Sequence, residues 1–475
     1  MAFMDFSNGG NFSAEGLALV VLVVWVLIGR VAKLYAFDTK NPMLRTRPQV
    51  QVVVLGDIGR SPRMQRHAVS LADAGWTAPS LRVTTNRYIR IRHVKQPKSV
   101  PEGLPKLFYL LWAPFKAVYM AAQLLYIMGI KANYPDFNPP SIPTLAIAQL
   151  ICFLRKAWLV IDWHNFGYTM LGMKLGSEHP VVRWAQWYEK RFGDTAYAHI
   201  TVTKTMAEEL RTWPVKGKLL TFYDRPPAHF DRLSIDKIHD FLSTSTLGKS
   251  INGQIMDAAT FLGDMSHPTS TLLTYKPDPA QDAMYRPSRP KLVISSTSWT
   301  EDEDFGVLLD AVQHYEDRAA ASSTAYPNLL FIITGKGPQR DAYEQRISRM
   351  SLMHTRVVTT WLESREYPLL LGSADLGISL HKSSSGMDLP MKVVDMFGCG
   401  LPVCAIQFEC LHELVTDGAN GLIFNSASQL ADQWEDLFVK HPKKLDQLRE
   451  NVIFEYADDS WEKSWKSTLP DLFLD

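Results

Sequence analysis

The sequence predicts an α/β protein built from two doubly wound, Rossmann-like domains that face a cleft. Three observations carry this reading. Short Val-, Ile- and Leu-rich runs alternate with amphipathic stretches from Gln49 to Phe222. The alternation dissolves into Ser, Thr, Asp and Pro between about Phe230 and Pro290. It then resumes at Lys291 and continues to Phe424. Strands that alternate with helical patterns imply parallel sheets covered on both faces, and such domains bind ligands at the carboxyl ends of their strands. A chain of 475 residues leaves room for two domains plus extras. With 46% apolar residues, 13 Trp and 17 Tyr, large cores are expected and wholesale disorder is excluded. The net charge of +1 gives no global sign of a nucleic-acid partner, and none is expected.

The organisation expected from these signals is a lumenal N-terminus and membrane anchor over 1–40 and a first domain over 41–228. A linker with an insertion follows over 229–290, then a second domain over 291–450 and a terminal helix over 451–475. The anchor rests on Leu17–Ile28, a wholly apolar run followed by Arg30 and Lys33. Twelve helical residues rise only ~18 Å against a hydrocarbon core of ~30 Å. Continuing the helix to Phe37, with Arg30 and Lys33 snorkelling, closes most of that gap. A cleaved signal peptide fits poorly, since Asp5 and Glu15 precede the run and no Lys or Arg does. Arg30, Lys33, Lys40, Arg45 and Arg47 follow it, so the positive-inside rule leaves the rest of the chain cytosolic.

Gln49–Leu55 reads as a buried strand, and the Gly-rich stretch after it runs into a helix with Met64, Ala68 and Leu71 on one face. This is no G-x-G-x-x-G fingerprint. Further strands are expected at Thr144–Ala148, Leu159–Ile161, Ala198–Val202 and Leu219–Phe222, with helices at Val182–Phe192 and Lys204–Thr212. Leu107–Ile130 is a second long apolar segment, preceded by seven Arg and Lys between Arg82 and Lys106. A spanning helix there would divide one domain between two sides of a bilayer. A helix lying in the membrane interface suits it better, with a core helix as the alternative.

In the second domain the expected strands are Leu292–Ser296, Leu329–Thr334, Val357–Thr360, Leu376–Leu380, Val403–Ile406 and Gly421–Phe424. The richest segment is Gly372–Ile406. There a strand leads into the loop Ser383, Ser384, Ser385, Gly386, then into Pro-x-Lys-x-x-Asp opening a helix. Backbone N–H groups at a helix N-terminus favour an anion. Lys392 adds a cation, and Asp395, one turn on, is placed to accept both hydroxyls of a ribose. A diphosphate binder beside a diol binder describes a sugar-nucleotide site. The four cysteines (Cys152, Cys399, Cys404, Cys410) lie in apolar runs without C-x-x-C spacing and read as reduced, buried thiols.

This motif resembles the donor-nucleotide motif of glycosyltransferases with the GT-B fold. GDIGRSP at Gly56–Pro62, NPPSIPTL at Asn138–Leu145, IDWHNFGYT at Ile161–Thr169, TSWTEDEDFGVLLDA at Thr297–Ala311 and TGKGP at Thr334–Pro338 resemble one branch closely. That branch is the chitobiosyldiphosphodolichol β-mannosyltransferase family of the endoplasmic reticulum. The resemblance implies transfer of mannose from GDP-mannose to dolichyl-diphosphate-linked chitobiose at the cytosolic face of that membrane; a retaining α-mannosyltransferase of the same pathway, or an inactive membrane scaffold of the same fold, is the alternative. It also implies association with the later mannosyltransferases of the pathway, and a terminal helix at Trp461–Leu474 crossing back onto the first domain.

A β-linkage made from an α-linked donor inverts the anomeric carbon, so a base must take the acceptor proton. His164, just after the strand ending at Ile161, and Asp57, after the first strand, are the candidates. An imidazole titrates near neutrality without tuning, whereas a carboxylate needs burial to raise its pKa, so His164 ranks above Asp57. Asp162 reads as an orienting residue. Gly56 and Gly59 let the first-domain loop approach phosphates, with Arg60 and Arg63 near enough to pair an anion; solvated arginines are the alternative. Related GT-B enzymes carry an Arg and a Lys early in the second domain, where this chain has the acidic run Glu301–Asp304. The departure shifts the diphosphate-binding role to Lys336, Lys382, Lys392 and the Ser-rich loop. The acidic run can recruit Mg2+ loosely, but a solvated helix N-terminus explains it more simply. No tightly bound cofactor and no metal site is expected.

Overall fold

The computed structural model describes residues 50–54, 61–75, 116, 118–128, 136–138, 142–245, 261–278, 280–300, 303–322, 326–383, 385–457 and 459–472. The expected anchor, the loop holding Gly56, Asp57, Gly59 and Arg60, and Ser384 lie outside them. Among the described residues no helix is long and apolar enough to cross a membrane. The chain divides into two compact units. One takes in residues up to Asp162 together with Ala185–His199 and Val215–Lys218. The other takes in Trp163–Trp184, Ile200–Pro214 and everything from Leu219 on.

The first sheet has five strands in chain order. β1 (Gln51–Val52) leads to α1 (Pro62–Asp73), which has Pro at its first turn and buries Met64, His67, Ala68 and Leu71. Residues 118–128 form α2, with Met120, Leu124 and Met128 buried at a spacing of four and Val118 and Tyr126 exposed. This described part of the apolar segment therefore has both a core face and an exposed apolar face. β2 (Asp136–Asn138) pairs parallel with β1 and with β3 (Leu159–Trp163).

The strand expected at Thr144–Ala148 is instead the start of α3 (Thr144–Arg155). The apolar run there continues from Leu145 to Leu154, broken only by Gln149, and that length suits a helix better than a strand. It buries Leu145, Ala148, Ile151 and Cys152 and leaves Leu150, Phe153 and Leu154 exposed. After β3 come α4 (Gly167–Leu175), α5 (Pro180–Phe192), β4 (Thr195–Thr201), α6 (Lys204–Thr212) and β5 (Lys216–Thr221).

The stretch expected to be linker contributes to a core. α7 (Ile235–Thr244) buries Ile238, Phe241 and Leu242, which pack with Phe261, Leu262, Leu272 and Leu273. A short antiparallel pair follows, β6 (Thr274–Tyr275) with β7 (Met284–Tyr285). Arg286 ties this segment together by donating to the carbonyls of Leu262, Asp264 and Leu272.

The second sheet is wholly parallel and comprises β8 (Lys291–Ser296), β9 (Leu329–Thr334), β10 (Thr355–Thr360), β11 (Leu376–Ser379), β12 (Val403–Ile406) and β13 (Gly421–Phe424). Its spatial order is β10-β9-β8-β11-β12-β13. Strand side chains alternate between two cores. Leu292, Ile294, Leu330 and Ile332 pack against α7, α10 (Tyr367–Ser373), α11 (Met391–Gly398) and α13 (Pro442–Tyr456). Val293, Leu329, Phe331 and Ile333 pack against α8 (Phe305–Ala321) and α12 (Ala427–Glu435). Helices on both faces are what the continuous apolar strands require. α9 (Arg340–Ile347) lies between β9 and β10, and α14 (Trp461–Thr468) is followed by a 3-10 turn at Pro470–Leu472. Trp461 packs on Phe222, ring centroids 4.9 Å apart, and Asp459 pairs with Arg225 at 2.5 Å.

Candidate nucleotide-sugar site

The strand order of the second sheet reverses between β8 and β11. One connection leaves β8 toward β9, the other leaves β11 toward β12, and their loops diverge at the carboxyl ends. Such a switch point is where open α/β sheets bind ligands. The loops that meet here are residues 297–304 after β8 and 380–390 after β11.

The loop after β8 is organised by Glu303. Its carboxylate is 2% exposed and accepts from Thr297 Oγ1 at 2.6 Å and Ser298 N at 2.9 Å. Its other oxygen receives the Lys392 ammonium, and its backbone bridges His381. This corrects the expectation of a solvated acidic run. Asp304 does cap α8, accepting from Gly306 N at 2.9 Å, but Glu303 faces inward and holds the lysine of the nucleotide motif. Glu301 and Asp302 lie outside the described residues.

The loop after β11 is held by Asp388. Ser383 Oγ and Ser385 Oγ donate to its carboxylate, Ser385 at 3.3 Å, and His381 Nε2 lies 3.7 Å away. Burial pushes the Asp388 carboxyl up, but the bonds from His381 and Ser383 outweigh it and hold the group below its usual range. Gly386 closes the turn with φ +74°, and a Cβ there would meet the Glu409 carboxylate at 2.8 Å. Lys392 and Asp395 stand three residues apart near the start of α11, hence neighbours on its surface. Asp395 is half-buried. Burial and then the Asp395 charge hold the Tyr367 phenol and the Cys399 thiol above their usual values.

Lys382 is exposed in the β11 loop. Lys336, after β9, is also exposed and lies over the Trp361 ring, 4.2 Å from its centroid. Its flanking glycines are required because the β9 loop lies against the β8 loop. A Cβ on Gly335 would meet Thr297 O, and one on Gly337 would meet Ser298 O, both at 1.8 Å. Lys392, Ser383, Ser385 and Gly386 thus surround the switch point with Glu303 and Asp388, which the sequence reading missed. Glu303 was hidden in a run of four acids. Asp388 stands in the same loop, five residues after Ser383, so its nearness to the serines was visible in the sequence.

The other candidates stand on the first sheet. Arg63, expected to pair an anion, is 5% exposed and makes a two-pronged contact to Asp162, Nε to Oδ2 and Nη2 to Oδ1, both 2.8 Å. His67 Nε2 lies 3.6 Å from the same fully buried carboxylate. The structure thus commits the Arg63 guanidinium to orienting the end of β3. Trp163 follows, buried against Trp213 and Phe166, and then half-buried His164. All four cysteines are free and buried. Among the described residues no group of His, Cys, Asp or Glu is arranged to hold a metal.

Two α/β units, the second with a polar switch point in a wholly parallel sheet, are the architecture of the GT-B glycosyltransferase fold. Solved structures with that fold superpose at low identity. They include Anabaena HepE in complex with UDP (TM-score 0.58, 12% identity, 88% of this chain and 97% of that one). Sucrose-phosphate synthase from Thermosynechococcus elongatus gives 0.59 at 13% identity, over 90% and 98%. The model of the family described as "Glycosyl transferases group 1" matches residues 289–439, the second sheet with its helices. The mouse chitobiosyldiphosphodolichol beta-mannosyltransferase is 41% identical over 96% of this chain and 95% of its own length. The human enzyme of that name is 39% identical over 91% and 94%. An Arabidopsis thaliana protein named UDP-glycosyltransferase TURAN is 42% identical over 88% and 96%. The chain belongs to the chitobiosyldiphosphodolichol beta-mannosyltransferase family.

Proposed function

We propose that the chain is an inverting mannosyltransferase. It takes mannose from GDP-mannose and adds it, β-1,4-linked, to dolichyl-diphosphate-linked chitobiose. The reaction belongs on the cytosolic face of the endoplasmic reticulum membrane, with residues 1–40 as a single anchor. The observation that carries this reading is the 41% identity to a relative of that name across nearly the whole of both chains. The polar switch point supports it by supplying the groups that a nucleoside diphosphate requires.

In this reading the acceptor hydroxyl attacks C1 of mannose from the face opposite the diphosphate. Its proton passes to His164 or Asp57, and the bond to the diphosphate breaks with its electron pair leaving on GDP. Asp395 accepts the ribose hydroxyls. The Ser383–Gly386 loop, Lys392, Lys382 and Lys336 stabilise the charge that gathers on the leaving diphosphate. Glu303 holds Lys392 until the diphosphate competes for it. Gly56, Gly59 and Arg60 approach the acceptor diphosphate. No tightly bound cofactor takes part, and any Mg2+ is loosely held.

The test is incubation of detergent-solubilised protein with labelled GDP-mannose and a short-chain lipid-diphosphate-chitobiose, followed by β- and α-mannosidase digestion. Release by β-mannosidase alone is the expected result. Release by α-mannosidase, or transfer from a UDP-sugar in place of GDP-mannose, overturns it.

A further inference from the structure

Helix α4 is apolar, with Tyr168, Met170, Leu171, Met173 and Leu175 in nine residues, yet none of its residues is buried. Met170, Met173 and Leu175 are 45%, 57% and 44% exposed. A four-residue connection turns the chain into α5, and Gly172 lies against Val182, where a Cβ would sit 3.7 Å from its methyl. The two helices therefore form a hairpin. α5 divides cleanly, with Val182, Ala185 and Tyr188 buried and Val181, Trp184 and Trp187 exposed. A helix that leaves its apolar face in water needs an occupant for that face.

We propose that the exposed face of α4 with the first turn of α5, up to Trp184, docks on the surface of an anionic lipid bilayer. Charge selects this occupant. Lys174 and Arg183 are exposed around the apolar side chains, against Glu178 as the one exposed acid between Gly167 and Trp184; Arg191, farther along α5, pairs with Asp194 at 3.6 Å. Basic residues beside an apolar face favour anionic headgroups. Composition agrees, because tryptophan settles where hydrocarbon meets headgroup, and Trp184 is 51% exposed. The choice of a bilayer also rests on the proposed lipid-linked acceptor, whose polyprenyl tail stays in the membrane. The hairpin begins three residues after His164, so docking it would bring the end of β3 to the membrane surface. This surface is separate in sequence from residues 107–130 and from the expected anchor.

The test uses the full chain. Met173→Cys and Trp184→Cys are each labelled with an environment-sensitive fluorophore, and Phe454→Cys, at a residue 88% exposed on α13, is the control. The native thiols are buried and do not compete. The protein is reconstituted on phosphatidylcholine–phosphatidylinositol vesicles carrying a doxyl-labelled lipid. Quenching at 173 and 184, absent at 454 and weakened when phosphatidylinositol is omitted, is expected. No quenching at 173 and 184, equal quenching at 454, or shielding of the labels by self-association overturns the proposal.

A second arm uses Met173→Asp/Trp184→Asp. Transfer to a long-chain acceptor embedded in vesicles should fall at least about tenfold, since two large apolar contacts are lost. Transfer to a detergent-dispersed short-chain acceptor should be unchanged. Equal loss on both acceptors overturns docking. A wild-type chain inactive on both acceptors counts against the proposed reaction and leaves the quenching result to decide docking.

Discussion

Replacing Arg63 by Met removes the guanidinium from a carboxylate that has no access to water. Asp162 is 0% exposed, and Arg63 makes two 2.8 Å bonds to it, with the His67 ring nitrogen at 3.6 Å. Breaking one side of such a buried pair costs about 3–5 kcal/mol, because a charge is left uncompensated. A unit of this size loses about 2–3 kcal/mol per molar urea, so the midpoint should fall by about 1–2.5 M. Tryptophan fluorescence reports it locally, since Trp163 follows Asp162 and lies 5.5 Å from Trp213, ring to ring. Asp162→Asn should cost a similar amount, because the 5% exposed Arg63 guanidinium then loses its carboxylate. The double variant Arg63→Met/Asp162→Asn should be more stable than Arg63→Met alone, since it carries no buried charge. If instead the two single costs simply add, to within about 0.5 kcal/mol, the pair is not coupled and the reasoning fails.

Asp395→Ala should weaken GDP binding about tenfold or more, for loss of two hydroxyl bonds to a charged acceptor. His164→Ala should leave GDP affinity near wild type and lower kcat by about 10²–10⁴ if it is the base; calorimetry and initial rates separate the two. Glu303→Ala should destabilise by about 3 kcal/mol, leaving Ser298 N–H, the Thr297 hydroxyl and Lys392 without their acceptor. Asp304→Ala next to it should cost only about 1 kcal/mol for a lost cap, as urea unfolding will show. Asp375 is buried with two bonds from Arg289 and one from Leu292 N, and although burial pushes its carboxyl up, the Arg289 charge holds it well below the usual range. Its contribution is therefore complete above the unfolded value of about 3.9 and is lost as pH falls through the lower folded one. The unfolding midpoint should hold from pH 7 to about 5 and drop below about 4, and Asp375→Asn should flatten that drop.

The second sheet was legible strand by strand because its strands are buried on both faces and appear as uninterrupted apolar runs. Leu329–Thr334, Val403–Ile406 and Gly421–Phe424 were read to the residue. Thr144–Ala148 was misread because five apolar-rich residues look alike as strand or first helical turns; only the continuation to Arg155 separates them. The core role of Ile238, Phe241 and Leu272 was masked by the Ser, Thr and Pro around them. At the candidate site, the order of strand, Ser-rich loop and helix was visible in local chemistry. The ion pairs were not: Arg63 and Asp162 are 99 residues apart and Lys392 and Glu303 89, and nothing local records such a partnership.

Glu413 gives the polypeptide an order of completion. Its carboxylate accepts from Lys204 N at 2.7 Å, Thr205 N at 2.8 Å, Thr205 Oγ1 at 2.5 Å and Tyr223 OH at 2.7 Å. A helix whose own Thr203 caps only Met206 thus borrows its remaining acceptor from more than two hundred residues downstream. On a ribosome, α6 emerges long before that acceptor does, and Phe222 waits longer still for Trp461. An expression clone stopped at residue 228 or 290 would therefore yield a fragment with an open helix end and a bare aromatic seat. Dissecting this enzyme calls for variants that keep both segments, because residues near 413 and 461 complete contacts begun at 204 and 222.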